Sequence, residues 1–183
     1  MPRFAAFLRA VNVGGRVAKS DSLKEAFEAA GAADPETFLA SGNVVFSSKG
    51  VKGLDAKIAA ELEKALGFEV PVFVRTLEEV HAAALHAPFP EKDIARFPTY
   101  LVGFLSRNLD AAGVERLFLL STKDDRFHVR GRDFWWLSKH HQARPAITGR
   151  VLERTLGQPT TLRNVNTIRR IAERFGGKKM EIS

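Results

Sequence analysis

The chain has 183 residues, 45% of them hydrophobic, with no cysteine and a formal net charge of +7. That is enough apolar material for a core without covalent staples, and the missing cysteine excludes disulfides, thiolate metal sites and cysteine nucleophiles while fitting a reducing compartment. No apolar run approaches the roughly 20 residues of a membrane span, and the apolar run after Met1 is broken too soon, at Arg9, for a signal peptide, so a cytoplasmic protein without a membrane partner is expected.

Phe4 to Val11 is apolar on both alternating faces except at Arg9, the pattern of a central strand. Asn12, Gly14, Gly15, Arg16 and Lys19 follow and lead into a helix. A strand, a glycine-rich turn and a helix N-terminus can together present N–H groups to an anion, with the helix dipole helping. Arg9 either grips a phosphate or carboxylate in a bidentate contact or pairs internally with a carboxylate, the glycines then serving only the backbone. The stretch is not a Walker loop, because counting from Gly14 puts Lys19 where that motif has its second glycine.

Ser20 to Ala30 sets Leu23, Ala26, Phe27 and Ala30 on one helical face, with Ser22 and Glu25 at capping-box spacing and Gly31 as the stop. Thr37 to Leu39 and Val44 to Ser47 read as short strands joined through Ala40, Ser41, Gly42 and Asn43, a hairpin connection. Leu54, Ile58, Leu62, Ala65 and Leu66 form a second amphipathic helix, stopped by Gly67, and Val70 to Arg75 reads as a strand. The order β-α-β-β-α-β is that of a ferredoxin-like unit. In that topology the end of the first strand and the hairpin between strands two and three lie at one edge of the sheet, so Asn12 to Gly15 and Ser41 to Asn43 are expected to converge. Ser-Gly-Asn is also ordinary turn chemistry, and only the convergence makes Ser41 and Asn43 ligand candidates.

Thr76 and Glu79 begin a further capped helix carrying Leu77, Val80, Ala84 and Leu85, and Ala87 to Pro98 reads as a loop by its prolines. The second half repeats the outline: Thr99 to Leu105 a strand, Asn108 to Leu120 a helix, Arg126 to Arg130 and Asp133 to Ser138 a hairpin turning at Gly131. A helix from Pro145 to Leu156, a strand from Thr160 to Leu162 and a final helix from Asn164 to Phe175 complete it, before a glycine- and lysine-rich tail from Gly176 that reads as frayed. The fold class is therefore α+β, two ferredoxin-like (βαββαβ) halves with a C-terminal helix. Residues 1–86 are the first half with its following helix, 87–98 a proline-rich connector, and 99–183 the second half with its basic terminal helix. The repeat is one of pattern, without residue-by-residue similarity.

The charge is uneven. Met1 to Asp125 holds 15 Lys/Arg against 17 Asp/Glu, whereas Arg126 to Ser183 holds 13 against 4, an excess that favours anionic partners, nucleotide or nucleic acid among them, or serves only as a solvated basic face. Thr161, Arg163, Asn164 and Thr167 crowd a helix start. Asn or Thr caps there need no ligand, but a cation at that end opposes the dipole and calls for an anion, so the stretch is read either as an anion site or as a domain clamp. Phe134, Trp135, Trp136 and Leu137, with Tyr100, Phe104 and Phe127, give an aromatic sheet flanked by cations; stacking on single-stranded nucleic acid is one reading and core packing the favoured one, since no RNP-like string occurs. The five histidines show no metal spacing, no paired catalytic carboxylates stand out, and no motif names a reaction.

Three stretches together resemble a known family in order and spacing: Leu8 to Gly15 (LRAVNVGG), Ser41 to Phe46 (SGNVVF) and Thr161 to Thr167 (TLRNVNT). The chain is similar, over nearly its whole length, to the bacterial family called domain of unknown function 1697. That family usually shows glycine where this chain has Ala10, implying a less open turn here, and an aromatic residue, often tryptophan, where it has Val165, implying a lost packing contact. The resemblance implies a two-part α+β fold of ferredoxin-like halves and no established activity. The expected function is thus binding of a phosphate-bearing or other anionic ligand through Arg9, Asn12, Gly14, Gly15, Ser41, Asn43, Arg163, Asn164 and Thr167. The alternatives are an enzyme on a small phosphorylated or carboxylated metabolite, with His128, His140 or a carboxylate that the sequence does not place as acid or base, and a protein-interaction module.

Overall fold

A computed structural model describes residues 1–12, 14, 15, 17–39 and 42–176. Arg16, Ser41 and the tail beyond Gly176 lie outside the described residues. The elements in order are β1 (Arg3–Leu8), α1 (Ser20–Ala29), β2 (Ala33–Thr37), β3 (Asn43–Ser47), α2 (Leu54–Leu66), β4 (Val72–Thr76), α3 (Leu77–Leu85), α4 (Glu91–Ile94), β5 (Thr99–Leu105), α5 (Ala111–Phe118), β6 (Asp125–Arg130), β7 (Asp133–Ser138), α6 (Gly149–Leu156), β8 (Thr160–Asn164) and α7 (Val165–Phe175). They form two compact units, Met1–His81 with the chain from Ile171 onward, and Ala82–Arg170. No helix among the described residues is long and apolar enough to cross a membrane.

In the first unit an antiparallel sheet of order β2-β3-β1-β4 is the ferredoxin-like arrangement the pattern predicts. One face, with Phe4, Ala6 and Leu8 of β1 and Val44 and Phe46 of β3, packs on Leu23 and Phe27 of α1 and Ile58 and Leu62 of α2. Phe46 lies edge-on to Phe27 at 5.3 Å and stacks on Phe4 at 5.8 Å. Burying each such ring contributes about 1.5–3 kcal/mol. The other face carries Ala5, Phe7, Val45, Phe73 and Arg75, also buried. That two-sided burial is why β1 reads as apolar on both alternations.

Two details of this unit differ from expectation. The first hairpin strand is Ala33–Thr37 rather than Thr37 to Leu39. Asp34 and Pro35 read as a turn, but β2 is an edge strand, where proline is tolerated, and a register shift between Ala33 and Glu36 absorbs the Asp34 φ of 50°. Helix α1 starts at Ser20 with Lys19 at its N-cap and no side-chain cap, so the Ser22–Glu25 box does not form. By contrast Thr76 and Glu79 form theirs, with the Thr76 N–H donating to Glu79 Oε2 at 2.8 Å and the Glu79 N–H to Thr76 Oγ1 at 3.0 Å.

The second unit repeats the topology with strand order β6-β7-β5-β8. Leu101, Phe127, Phe134, Trp136 and Leu162 face Leu117 of α5 and Leu152 and Leu156 of α6. The indole of Trp136 donates to the buried Asp125 Oδ1 at 2.9 Å, which meets the polar demand of both groups. A short helix, α4, interrupts the loop expected over Ala87 to Pro98. Helix α6 begins at Gly149, not Pro145, because the Thr148 hydroxyl takes the cap, accepting from the Val151 N–H at 3.3 Å.

Candidate functional site

At the end of β1 the chain is held from two sides. The Leu8 N–H donates to Gly42 O at 2.8 Å and the Arg9 N–H to Pro71 O at 3.0 Å, so the β2–β3 turn and the segment before β4 both close on this corner. Ala10 then takes a φ of 57°, and Gly14 and Gly15 follow at 63° and 83° in open space. The glycines adopt that left-handed backbone at no steric cost; Ala10 does not. The side chain of Asn12 ties the loop's two ends together by accepting the Ala18 N–H at 3.0 Å.

Of the described residues expected to converge, Asn12, Gly42 and Asn43 come together, whereas Gly14 and Gly15 stand in open space and are not in the cleft lining. Asn12, Gly42 and Asn43 line one open cleft of about 580 Å³ beside the start of α1, together with Ser20 and Thr37, whose hydroxyls lie 2.8 Å apart. Asn43 is buried and occupied within the turn: its Nδ2 donates to Phe38 O at 2.9 Å while the Phe38 N–H donates to Asn43 O at 2.9 Å. Arg9 is half-buried beside the corner and does not line the cleft. The residues that sequence reasoning missed are Ser20, Thr37 and the apolar rim, Val17 and Leu39, both exposed and the latter at a φ of 58°. Neither rim residue carried a distinguishing sequence signal, Leu39 lying between Phe38 and Ala40 and Val17 next to Ala18.

Electrostatically the cleft opens on an incompletely capped helix end. The Leu23 N–H bonds to Lys19 O at 3.1 Å, and the N-cap residue Lys19 makes no side-chain cap hydrogen bond. Exposed Lys19 adds positive charge, against the exposed carboxylate of Asp21 in the first turn.

Arg163, Asn164 and Thr167 lie in the second unit, together at the β8–α7 junction. Arg163 is a strand residue, buried, with Nη1 donating to Thr161 Oγ1 at 2.7 Å and Leu162 O at 2.9 Å. Desolvation pulls its pKa down to about 10. Asn164 caps α7 by accepting the Asn166 N–H at 2.9 Å, and Thr167 is half-buried in the first turn. The aromatic segment is core: Phe134, Trp135, Trp136 and Leu137 are all buried, as are Tyr100, Phe104 and Phe127. Among the described residues no group of three His, Cys, Asp or Glu is placed to hold a metal ion.

Residues 1–135 match the model of a protein family described as "Protein of unknown function (DUF1697)", a span that includes the first two of the three motifs and ends before Thr161. Among solved structures, the conserved bacterial protein SP0830 from Streptococcus pneumoniae is similar, with 22% sequence identity over 94% of this chain and 97% of that one and a TM-score of 0.67. At that identity the likeness shows the fold. No curated protein matches the chain significantly.

Proposed function

We propose that this chain, which belongs to the DUF1697 family, binds a small phosphate-bearing or similarly anionic ligand in the cleft of its first unit. The observation that carries the reading is the meeting of three features at one cleft: Asn12 of the loop after β1, the β2–β3 turn at Gly42 and Asn43, and the start of α1, whose N-cap Lys19 makes no side-chain cap hydrogen bond. N–H groups of the turn and helix end donate to the anion, Lys19 and Arg9, outside the lining, add charge nearby, and Asn12, Ser20 and Thr37 supply directional hydrogen bonds.

The size and lining favour a nucleotide-sized ligand over a nucleic-acid strand. About 580 Å³ falls in the range of small-ligand pockets, and the buried aromatics of the second unit offer no stacking platform. The described lining contains no carboxylate, histidine or lysine, which supports binding over acid–base catalysis in this cleft.

The test is a titration of the isotope-labelled chain with inorganic phosphate and with a nucleoside monophosphate, read at backbone amides. Gly14, Gly15, Ser20 and Asp21 amides are expected to shift saturably, more weakly at high salt, with affinity falling about tenfold in Arg9→Ala and in Lys19→Ala. Amides at this corner that stay put with both ligands sink the reading.

A further inference from the structure

In the second unit, His86 and Trp135 each carry a buried ring nitrogen without a hydrogen-bond partner among the described residues. His86, just past α3, lies against Trp135 of β7 with ring centroids 4.4 Å apart, and 5.0 Å from His128 of β6. Arg130 Nη1 lies 3.4 Å from His86 Nδ1. A guanidinium only donates, so this contact makes Nδ1 the acceptor and puts the proton of neutral His86 on Nε2. His86 Nε2 is buried with no hydrogen-bond partner among the described residues, and so is Nε1 of Trp135, a residue only 1% exposed. An indole nitrogen can only donate. Two buried N–H groups on touching rings therefore lack an acceptor, an omission that costs about 1–3 kcal/mol for each.

We propose that His86 and Trp135, with Arg130 and His128 beside them, form an oxyanion site in the second unit, taking a small carboxylate or phosphate group. The constellation is donor-rich and cationic. The charged neighbours acting on His86 are His128 and Arg130, and the one acting on His128 is Arg130; none is a carboxylate. Both imidazoles are held below their ordinary pKa by desolvation first and by these cations second. An oxyanion supplies the acceptor atoms and the negative charge together. Arg130 is exposed and His128 half-buried, beside the buried Trp135. A metal ion fits the group poorly, because Nδ1 of His86 already faces a cation.

The chain has two tryptophans, so a nitrogen-15 spectrum of the full chain carries two indole signals. That of Trp136, already bonded to Asp125, serves as the internal reference and is assigned with Trp136→Phe. Sodium acetate and sodium phosphate are titrated separately at constant ionic strength. The expected result is a saturable shift of the Trp135 indole with the Trp136 signal unmoved, the two arms telling a carboxylate preference from a phosphate one. Affinity should fall about tenfold in Arg130→Gln, an exposed substitution that leaves the fold intact, and in His86→Ala. It should rise as the pH falls below the ordinary imidazole value of 6.5, because a bound anion favours protonation of imidazoles whose free pKa lies below that value. A Trp135 indole unmoved by both anions, or one that responds equally in folded Arg130→Gln and His86→Ala, overturns the proposal. Amides of Gly14 and Gly15 report the first-unit cleft in the same spectra, so each reading fails or stands by itself.

Discussion

Arg75 and Arg163 occupy the same place in the two sheets. Each is the fourth residue of a five-residue final strand, paired in register with the sheet's first strand, Arg75 opposite Ala5 and Arg163 opposite Val102. Each is buried, at 2% and 7% exposure, and each donates through Nη1 to the carbonyl of the residue before it, Val74 at 3.0 Å and Leu162 at 2.9 Å. A helix starts two residues later in both cases. The repeat thus extends from element order to a side-chain position, and Arg163 is one member of a matched pair of buried cations.

Such a cation is held by fixed acceptors, and losing the guanidinium leaves them unmet. Arg75→Ala and Arg163→Ala are each expected to destabilise the chain by about 2–4 kcal/mol. Lysine should not restore either, because a single ammonium cannot reproduce the fork's geometry. For Arg163 the folded pKa of about 10 lies below the unfolded value, so the group is charged at neutral pH and its burial is a cost that its hydrogen bonds offset. Urea unfolding of the parent and four variants decides it; changes within about 0.5 kcal/mol would show the side chains to be dispensable.

Gly103 in the central strand β5 is opposite Phe134 of β7, and a Cβ at Gly103 would overlap the Phe134 ring. The glycine is there so that the ring can lie across the strand. Gly103→Ala is expected to cost about 3 kcal/mol or more, and Phe134→Ala about 3–5 kcal/mol through the cavity it leaves. In the double variant the added methyl meets empty space, so its loss should be clearly smaller than the sum of the two. Strict additivity in thermal unfolding would mean that the two do not share that space.

The fold was legible where periodicity and turn residues agreed. Leu54, Ile58 and Leu62 mark α2, and Thr99–Leu105 has the bounds expected of it, because a buried run between clear breaks leaves little choice. The misses came from local signals overridden by position: Pro35 sits in a strand because that strand is an edge, and Pro145 fails to open α6 because Thr148 provides a side-chain acceptor. At the candidate site the convergence of the Asn12 loop with the β2–β3 turn followed from topology. The apolar rim of Val17 and Leu39 and the donor pair of His86 and Trp135 did not, since each depends on where side chains meet between elements.

His86 and His128 set a pH dependence whose sign is definite. Both folded pKa values lie below the ordinary 6.5, so below about pH 6.5 the unfolded chain binds more protons and is favoured. Their neutral forms carry no such penalty above that value, and stability should decline as pH falls from there through the lowered folded values. Urea midpoints measured down to about pH 5 should fall in the parent and fall less in the double variant His86→Gln with His128→Gln. A double variant with the parent's slope would place the acid sensitivity elsewhere.

Strain at the first-unit corner gives a paired prediction that links stability to the proposed cleft. Ala10 holds a φ of 57°, a conformation costing an L-residue about 1–2 kcal/mol. Ala10→Gly removes that cost but adds freedom to the unfolded chain, so a net gain of about 0.5–1 kcal/mol is expected. Gly42 is the reverse case: at a φ of 72°, an added Cβ would stand 2.6 Å from Val11 Cγ2 and 3.2 Å from Leu8 Cβ. Gly42→Ala should therefore lose about 2–3 kcal/mol and push the β2–β3 turn off the Leu8 N–H that now bonds to Gly42 O. If this corner is the anion site, the phosphate-dependent shifts of the Gly14 and Gly15 amides should persist in Ala10→Gly and collapse in Gly42→Ala. Shifts retained in a folded Gly42→Ala would mean that the two turns need not meet for the ligand to bind.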